Sequence, residues 1–232
     1  FGQGSTWNTV VDDIYILHQR LKQRYPDVPL CIMGHSMGSF LTRTYLIRYP
    51  GTVKAAVIMG TGWQPRAAIT GGLALANAIA AVSGENATSE LVTELAFGSY
   101  NKLFAPNRTK VDWLSADESN VDDYIADPLC GADATVGLFR QMLHGIRFNQ
   151  RQSHLRQMDR EMPVLFVAGD KDPVGSCGKG VRQTYDAFRA AGMRDCTLKL
   201  YPGLRHEILN EKAYTADITK NIEAWLLSRL EK

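Results

Sequence analysis

A short glycine-bounded turn sequence between a strand pattern and a helix pattern constrains this chain most. It reads Gly34-His35-Ser36-Met37-Gly38 and directly follows the apolar run Leu30–Met33. A short, continuous apolar run is typical of a strand that is buried on both faces of a parallel sheet. From Ser36 onward the apolar residues follow the helical period, until Tyr49-Pro50-Gly51 ends the segment. The chain therefore passes from a strand through a tight turn into a helix, which is a building unit of α/β folds.

Further strand and helix patterns alternate along the chain. Strands are predicted at Ala55–Met59, Val164–Ala168 and Thr197–Tyr201. Helices are predicted from a cap at Ser5 or Thr6 to Tyr25-Pro26, from about Lys179 to Ala191, and from about Thr215 to Leu230. The first helix has Leu17 and Leu21 among its apolar positions, and we expect it to be amphipathic and to cover the sheet.

The stretch from Gly62 to about Gln157 differs from the rest of the chain. It is rich in alanine and polar residues, and it contains aromatic residues such as Tyr100 and Trp113 but no clear strand. We interpret it as a helical insertion over the C-terminal edge of the sheet. Residues 1–62 and 158–232 are accordingly predicted to form an α/β core, and residues 63–157 a helical cap or lid.

Charge and hydropathy exclude some classes of partner. The net charge of the 232 residues is +2, from 26 Lys and Arg against 24 Asp and Glu, and no run of like charge stands out. Nucleic acid is therefore not expected as a partner. The longest uncharged apolar run, Gly71–Val82, falls well short of the ~20 residues that cross a bilayer. No transmembrane segment is predicted.

The cysteines and the other metal-ligating residue types show no ligand pattern. Cys31, Cys130, Cys177 and Cys196 lie far apart and form no C-x-x-C pair. We interpret them as reduced thiols, which favours a cytoplasmic location. No His, Cys or carboxylate cluster has the spacing of metal ligands, and no glycine-rich phosphate loop follows a strand. Neither a metal nor another cofactor is expected.

The turn at Ser36 matches the G-x-S-x-G pattern, in which a strained turn exposes a nucleophilic serine. A serine hydroxyl is a poor nucleophile, so a histidine base and a carboxylate that orients the base should follow along the chain. His206 follows the fourth predicted strand, and Asp170 and Asp172 both follow the third. These loops leave the carboxyl ends of parallel strands, where α/β sheets place their active sites. Spacing alone leaves the choice between the two aspartates open.

The chain resembles the lysophospholipase and monoacylglycerol-lipase-like branch of the α/β hydrolases over nearly its whole length. The segments that carry the resemblance are Gly34-His35-Ser36-Met37-Gly38-Ser39, Gly169-Asp170-Lys171-Asp172-Pro173-Val174, His206-Glu207-Ile208-Leu209-Asn210-Glu211 and the cap residues Asp127-Pro128-Leu129-Cys130-Gly131. The resemblance implies a mostly parallel sheet flanked by helices, with a helical cap. It also implies Ser36 as nucleophile, Asp172 as acid, His206 as base and the backbone N–H of Met37 as an oxyanion-hole donor.

The implied activity is that of a serine carboxylic ester hydrolase, which forms an acyl-enzyme on Ser36 with a small-molecule or lipid-like ester. The family's fold has further strands before the first helix predicted here, and a loop among them supplies the second oxyanion donor. Phe1-Gly2-Gln3-Gly4 is too short for that segment, so we expect the N-terminal strands to be missing and this second donor to be unassigned. The apolar strand Leu30–Met33 would then form an exposed sheet edge, which a second copy of the chain or a missing segment would cover. The alternative function is a truncated binding or structural subunit with little or no activity.

Other titratable residues near these motifs have simpler interpretations. His35 is expected to pack within the turn, and His18 to lie on a helix surface. His144 and His154 fall in the insertion, where surface or packing roles outweigh a place in a polar part of the substrate pocket. Glu207 is expected to be a structural hydrogen-bonding partner and not a second acid.

Overall fold

A computed structural model describes residue 4 and residues 6–230 of the chain. Its sheet consists of four parallel strands, β1 (Cys31–His35), β2 (Ala55–Met59), β3 (Val164–Gly169) and β4 (Cys196–Tyr201), in the order β1-β2-β3-β4. Because every pair is parallel, the carboxyl ends of all the strands meet at one edge of the sheet. The loops that carry Ser36, Asp172 and His206 all leave from that edge.

The helices follow the predicted alternation. They are α1 (Trp7–Arg24), α2 (Met37–Arg48), α3 (Arg66–Ser83), α4 (Glu90–Phe97), α5 (Glu118–Ala126), α6 (Val136–Asn149), α7 (Gln152–Leu155), α8 (Lys179–Ala190) and α9 (Thr215–Leu230). Short 3-10 helices span Asn101–Phe104 and Asp112–Leu114. The prediction of an α/β layered fold is confirmed.

Helix α1 begins at a capping box, in which the Thr6 side chain accepts from the Thr9 N–H and the Thr9 side chain accepts from the Thr6 N–H. The alternative cap, Ser5, lies outside the described residues. The prediction that this helix covers the sheet is wrong, because α1 packs on α2 and α6. Since α2 already occupies that face of the sheet, the C-terminal half of α1 projects beyond the core. Leu17 is 57% exposed and Leu21 is also exposed.

Strand β1 is not buried on both faces, as its continuous apolar sequence had predicted. Ile32 packs against the core, but Cys31 is exposed and Met33 is 55% exposed on the opposite face. The reason is that the apolar core on that face contains residues of β2 and β3 but none of β1. Within the described residues, β1 pairs with β2 alone and forms the edge of the sheet. An exposed, apolar sheet edge, which the sequence also predicted, is therefore present.

The central strands separate two apolar cores. Ala56 and Ile58 of β2 face one core, which contains residues of α1, α2 and α8. The alternate residues Val57 and Met59 face the other core, which is closed by α9. This double coverage explains why β2 and β3 are buried throughout.

Residues 63–157 contain helices and 3-10 turns in the described structure, with a single isolated bridge between Thr88 and Thr135. Helix α3 packs on α6, and α6 packs on α2. Helix α3 has 18 residues with a mean hydropathy of 1.3, so by length and composition alone it could cross a membrane. This helix is longer than the uncharged apolar run Gly71–Val82, from which no such segment was predicted, because it starts earlier, at Arg66. Ile69, Leu73 and Ala76 of α3 are buried within the protein.

Candidate active site

The turn between β1 and α2 holds Ser36 in an unusual backbone conformation. Ser36 has φ 54°, a region that residues with a side chain seldom adopt, and its N–H donates to the carbonyl oxygen of Met59 at 3.1 Å. The turn is tight enough that a Cβ atom on Gly34 would lie 2.2 Å from the carbonyl oxygen of Gly38. Glycine is therefore required at position 34. The strain that the motif predicted is present at the serine itself.

Met37 is the first residue of α2. A backbone N–H in the first turn of a helix has no carbonyl acceptor within that helix. The partial positive charge at the helix N-terminus also favours an anion at this place. The Met37 N–H is therefore suited to bind the oxyanion of an acyl-transfer intermediate.

His206 and Asp172 form a buried hydrogen-bonded pair. The Nδ1 atom of His206 lies 3.1 Å from each carboxylate oxygen of Asp172. The Val174 N–H also donates to Oδ1 of Asp172 at 2.9 Å. Because an ionised carboxylate can only accept, Nδ1 of His206 carries the proton and Nε2 is left as the acceptor.

The two candidate aspartates have different roles in the structure. Oδ1 of Asp170 accepts from the Gly203 N–H at 2.8 Å and so stabilises the turn that follows β4. Asp172 lies two residues further on and is the carboxylate that contacts His206. Of the two alternatives that spacing left open, the geometry therefore favours Asp172.

His35 joins the serine turn to the base. Its Nε2 donates to the backbone carbonyl of His206 at 3.0 Å, and the two imidazole ring centroids are 4.5 Å apart. Gly60 allows this contact, since a Cβ there would lie within 3.1 Å of both rings. Burial, and next the positive charge of protonated His206, lower the pKa of His35. Within the described residues no hydrogen bond joins Ser36 directly to His206, a contact that commonly tightens only when substrate binds.

A mostly apolar cavity of about 530 Å³ opens at Ser36. Its walls come from α2 and the cap, and they include Met37, Phe40, Leu75, Phe97, Tyr100, Trp113, Phe139 and Leu143. Trp113 links the cavity to the base, because its ring centroid is 5.1 Å from that of His206. Burial in this wall raises the pKa of Tyr100 to about 12, so its hydroxyl is protonated at neutral pH. The cavity can accommodate an apolar acyl chain beside the serine.

The family model described as "Serine aminopeptidase, S33" matches residues 1–213. The chain belongs to this family of α/β hydrolases. Among curated relatives, a monoacylglycerol lipase of Mycolicibacterium smegmatis is 30% identical over 225 residues, which are 95% of this chain and 70% of that protein. A mouse monoglyceride lipase is 26% identical, over 97% of this chain and 67% of its own length.

Solved structures show the same fold. A thermostable carboxyl esterase from Bacillus coagulans superposes with a TM-score of 0.89 at 23% identity, over 97% of this chain and 72% of the esterase. A monoacylglycerol lipase from Paleococcus ferrophilus gives a TM-score of 0.71 at 18% identity, over 97% of this chain and 76% of the lipase. The predicted α/β-hydrolase fold and the resemblance to monoacylglycerol lipases are confirmed.

The remaining histidines of this α/β hydrolase lie apart from the cavity. Nδ1 of His144 accepts from Arg147 at 3.1 Å on the surface of α6. His154 packs on the ring of Phe148, and His18 lies on α1. None of these histidines is among the residues that line the cavity. The structure thus places them in the surface and packing roles that we expected.

Glu207 has the structural role that the sequence analysis gave it. Its Oε2 accepts from the side-chain amides of Asn120 and Asn210, at 2.9 and 3.0 Å. Among the described residues, no group of three or more His, Cys, Asp or Glu side chains is arranged to hold a metal ion. The cysteines at positions 31, 130, 177 and 196 are free thiols in the structure.

Sequence reasoning missed Trp113 and Tyr100 as residues of the site. Both were visible only as aromatic residues of the insertion, and nothing in their spacing indicates a role. Trp113 contacts Tyr100 edge-on at 5.2 Å and His206 at 5.1 Å, both between ring centroids. Only the fold of the cap over the sheet edge reveals these contacts.

Proposed function

We propose that this chain is a serine carboxylic ester hydrolase that acts on small lipid-like acyl esters, of the kind that lysophospholipases and monoacylglycerol lipases cleave. One observation carries the proposal. The strained Ser36 turn lies in the wall of an apolar cavity, and the loop beside it holds the buried His206–Asp172 pair. A reactive serine, an oriented base and an acyl-sized cavity are the parts that acyl transfer needs.

The reaction proceeds through an acyl-enzyme. The Ser36 hydroxyl oxygen attacks the ester carbonyl carbon while Nε2 of His206 takes the hydroxyl proton, and the Met37 N–H stabilises the oxyanion. The C–O bond to the alcohol then breaks, and protonated His206 gives its proton to the leaving oxygen. Water, deprotonated by His206, attacks the acyl-Ser36 carbonyl. The bond from the acyl carbon to the Ser36 hydroxyl oxygen then breaks, His206 returns the proton to that oxygen, and the carboxylic acid is released. Asp172 holds the imidazole in the required tautomer throughout.

The lining of the cavity supports an apolar acyl group. Cap residues such as Leu75 and Phe139 line the cavity, so the acyl chain would lie under the cap and be shielded from water. We also propose a cytoplasmic location, on the ground that the cysteines are far apart in the sequence and form no C-x-x-C pair.

Hydrolysis of p-nitrophenyl esters from acetate to palmitate, by the wild type and by Ser36→Ala, tests the proposal. We expect Ser36→Ala to lower kcat by about 10⁶-fold, the typical effect of removing a serine nucleophile. Ser153→Ala is the matched control, because Ser153 is an exposed serine of α7 outside the cavity. A fluorophosphonate probe should label Ser36 and no other serine, as peptide mass spectrometry would show. A folded wild type that neither turns over these esters nor reacts with the probe would favour the binding-subunit alternative.

A further inference from the structure

The loop that carries His206 is tied to the cap on both sides of Trp113. The Nη1 atom of Arg205 donates to the carbonyl oxygens of Asp112 and Ser115, the latter at 3.0 Å. The Glu207 N–H donates to the carbonyl oxygen of Leu114 at 2.8 Å. Residues directly before and after His206 thus bind the backbone on either side of Trp113.

Glu211 holds the next part of the same cap segment. Its carboxylate is buried, with the residue only 3% exposed. Oε1 accepts from the Ala116 N–H at 2.8 Å, and Oε2 accepts from the Asp117 N–H at 3.1 Å. A buried carboxylate is costly unless its oxygens are satisfied, and here each oxygen accepts from the cap backbone. The contact joins residues 95 positions apart in the sequence.

These hydrogen bonds, together with the one from the Trp113 N–H to Oδ1 of Asn101 at 3.0 Å, hold the backbone that carries the Trp113 ring. The indole is tilted by 40° to the His206 imidazole at a centroid distance of 5.1 Å, and it also forms part of the cavity wall. His206 becomes an imidazolium each time it takes the Ser36 proton, and an aromatic ring beside a cation stabilises it. The indole also shields the imidazole from water, which strengthens its pairing with Asp172.

We propose that Glu211 is a positioning residue for the hydrolysis reaction, which acts through Trp113 on the His206 base. Its hydrogen bonds to the cap backbone keep the indole against the imidazole, and so they link the cap to the base. The proposal builds on the proposed ester hydrolase function. It assigns Glu211 no contact with the substrate.

A double-mutant cycle tests this coupling. Glu211→Gln keeps the shape of the side chain but places an amide donor against a backbone N–H, so one hydrogen bond is lost. We expect kcat for p-nitrophenyl acetate to fall about 10-fold, which is typical for one hydrogen bond to a charged group, with KM unchanged. Trp113→Leu should give a similar fall, because it keeps an apolar wall but removes the aromatic face. The kcat of the double variant should then be about 10-fold, and not about 100-fold, below the wild-type value, because both changes remove the same contact.

Control variants separate this role from general destabilisation. Glu161→Gln removes an equal charge from an exposed ion pair with Arg194 and should leave kcat unchanged. Melting temperatures identify any variant that fails to fold. If Glu211→Gln is such a variant, Glu211→Asp enters the same cycle, since the shorter side chain keeps the charge but cannot reach both the Ala116 and the Asp117 N–H.

The outcomes distinguish this inference from the proposed function. A wild type with no Ser36-dependent turnover overturns both. An active wild type in which the Glu211 and Trp113 effects multiply to about 100-fold overturns the positioning role of Glu211 alone. A KM increase at constant kcat in Glu211→Gln would also overturn it, because that result places the residue in substrate binding.

Discussion

Nδ1 of His206 lies 3.1 Å from both carboxylate oxygens of Asp172, in a site where both residues are at most 2% exposed. The Val174 N–H donates to the same carboxylate. This arrangement leaves the carboxylate little freedom to rotate. The imidazole is consequently fixed in orientation as well as in tautomer, which is what a general base beside Ser36 requires.

Asp172→Asn should therefore lower kcat for p-nitrophenyl butyrate by about 10⁴-fold, with the fold intact. An asparagine amide can donate to Nδ1, which selects the imidazole tautomer that cannot take a proton at Nε2. Initial rates, with the melting temperature as a check on folding, provide the measurement.

The matched control is Asp170→Asn. Oδ1 of Asp170 accepts from the Gly203 N–H, and an asparagine oxygen can accept the same bond. We expect its kcat to stay within a few-fold of the wild-type value. Comparable losses in the two variants would contradict the assignment of Asp172 as the acid.

The sequence predicted the elements whose signals are local. Strand β2 and helix α9 have the predicted bounds, because a continuous apolar run and a clear helical period identify them. The Ser36 turn was equally clear, because Gly34 and Gly38 on either side of it identify the tight turn. The spacing pattern did not choose between Asp170 and Asp172, because both lie in one loop. Only the family resemblance, and then the hydrogen bond to His206, separated them.

Burial and long-range contacts could not be predicted in the same way. Met33 and Leu17 belong to an apolar strand run and an apolar helix pattern, yet they are exposed because nothing packs on their side of β1 and α1 in the described structure. Trp113 and Glu211 contact the His206 loop and the cap across long sequence separations. Such contacts depend on how the cap folds over the sheet edge, and no short sequence pattern encodes them.

The pH dependence of stability should contain a contribution from His35. Burial, with the charge of His206 second, lowers the pKa of His35 from its ordinary value of 6.5. Below pH 6.5 the unfolded chain therefore binds a proton that folded His35 does not bind. The free energy of unfolding should accordingly fall as the pH drops through 6.5 and towards the lower pKa of the folded state.

His35→Gln should remove this contribution while its amide can still donate to the His206 carbonyl. Urea unfolding at pH 7.5, 6.5 and 5.5 measures the effect, and we expect a smaller loss of stability between pH 7.5 and 5.5 in the variant. Parallel curves for the variant and the wild type would contradict the prediction.

Arg43 is a fully buried cation, and among the described residues no carboxylate pairs with it. Its Nη1 donates to the Gly62 carbonyl at 2.9 Å and to the Thr61 hydroxyl, but Nε and Nη2 have no hydrogen-bond partner among the described residues. Burial lowers the pKa of this guanidinium to about 9. The protein therefore bears a desolvation cost at this position, which hydrogen bonds offset only in part.

Arg43→Met should be tolerated much better than Arg43→Ala. Methionine fills most of the space and removes the buried charge, whereas alanine leaves a cavity in the core under α2. We expect Arg43→Ala to lower the free energy of unfolding by about 3 kcal/mol more than Arg43→Met does. Urea unfolding at pH 7 measures both. Equal losses would show that the hydrogen bonds to Thr61 and Gly62, and not the filled volume, dominate.

Replacing two helical glycines of the cap with alanine should change the free energy of unfolding in opposite directions, because only one of them packs against α1. A Cβ on Gly145 of α6 would lie 2.1 Å from Cε2 of the Trp7 indole, and this ring is held by a 2.8 Å hydrogen bond from Nε1 to the Thr44 hydroxyl. Gly145→Ala should therefore lower the free energy of unfolding by about 1–3 kcal/mol.

Gly71 of α3 has open space around its Cβ position. Gly71→Ala should therefore raise the free energy of unfolding by about 0.5–1 kcal/mol through the better helix propensity of alanine. Urea unfolding of both variants provides the measurement, and a Gly145→Ala protein as stable as the wild type would show that Trp7 does not lock α1 onto α6.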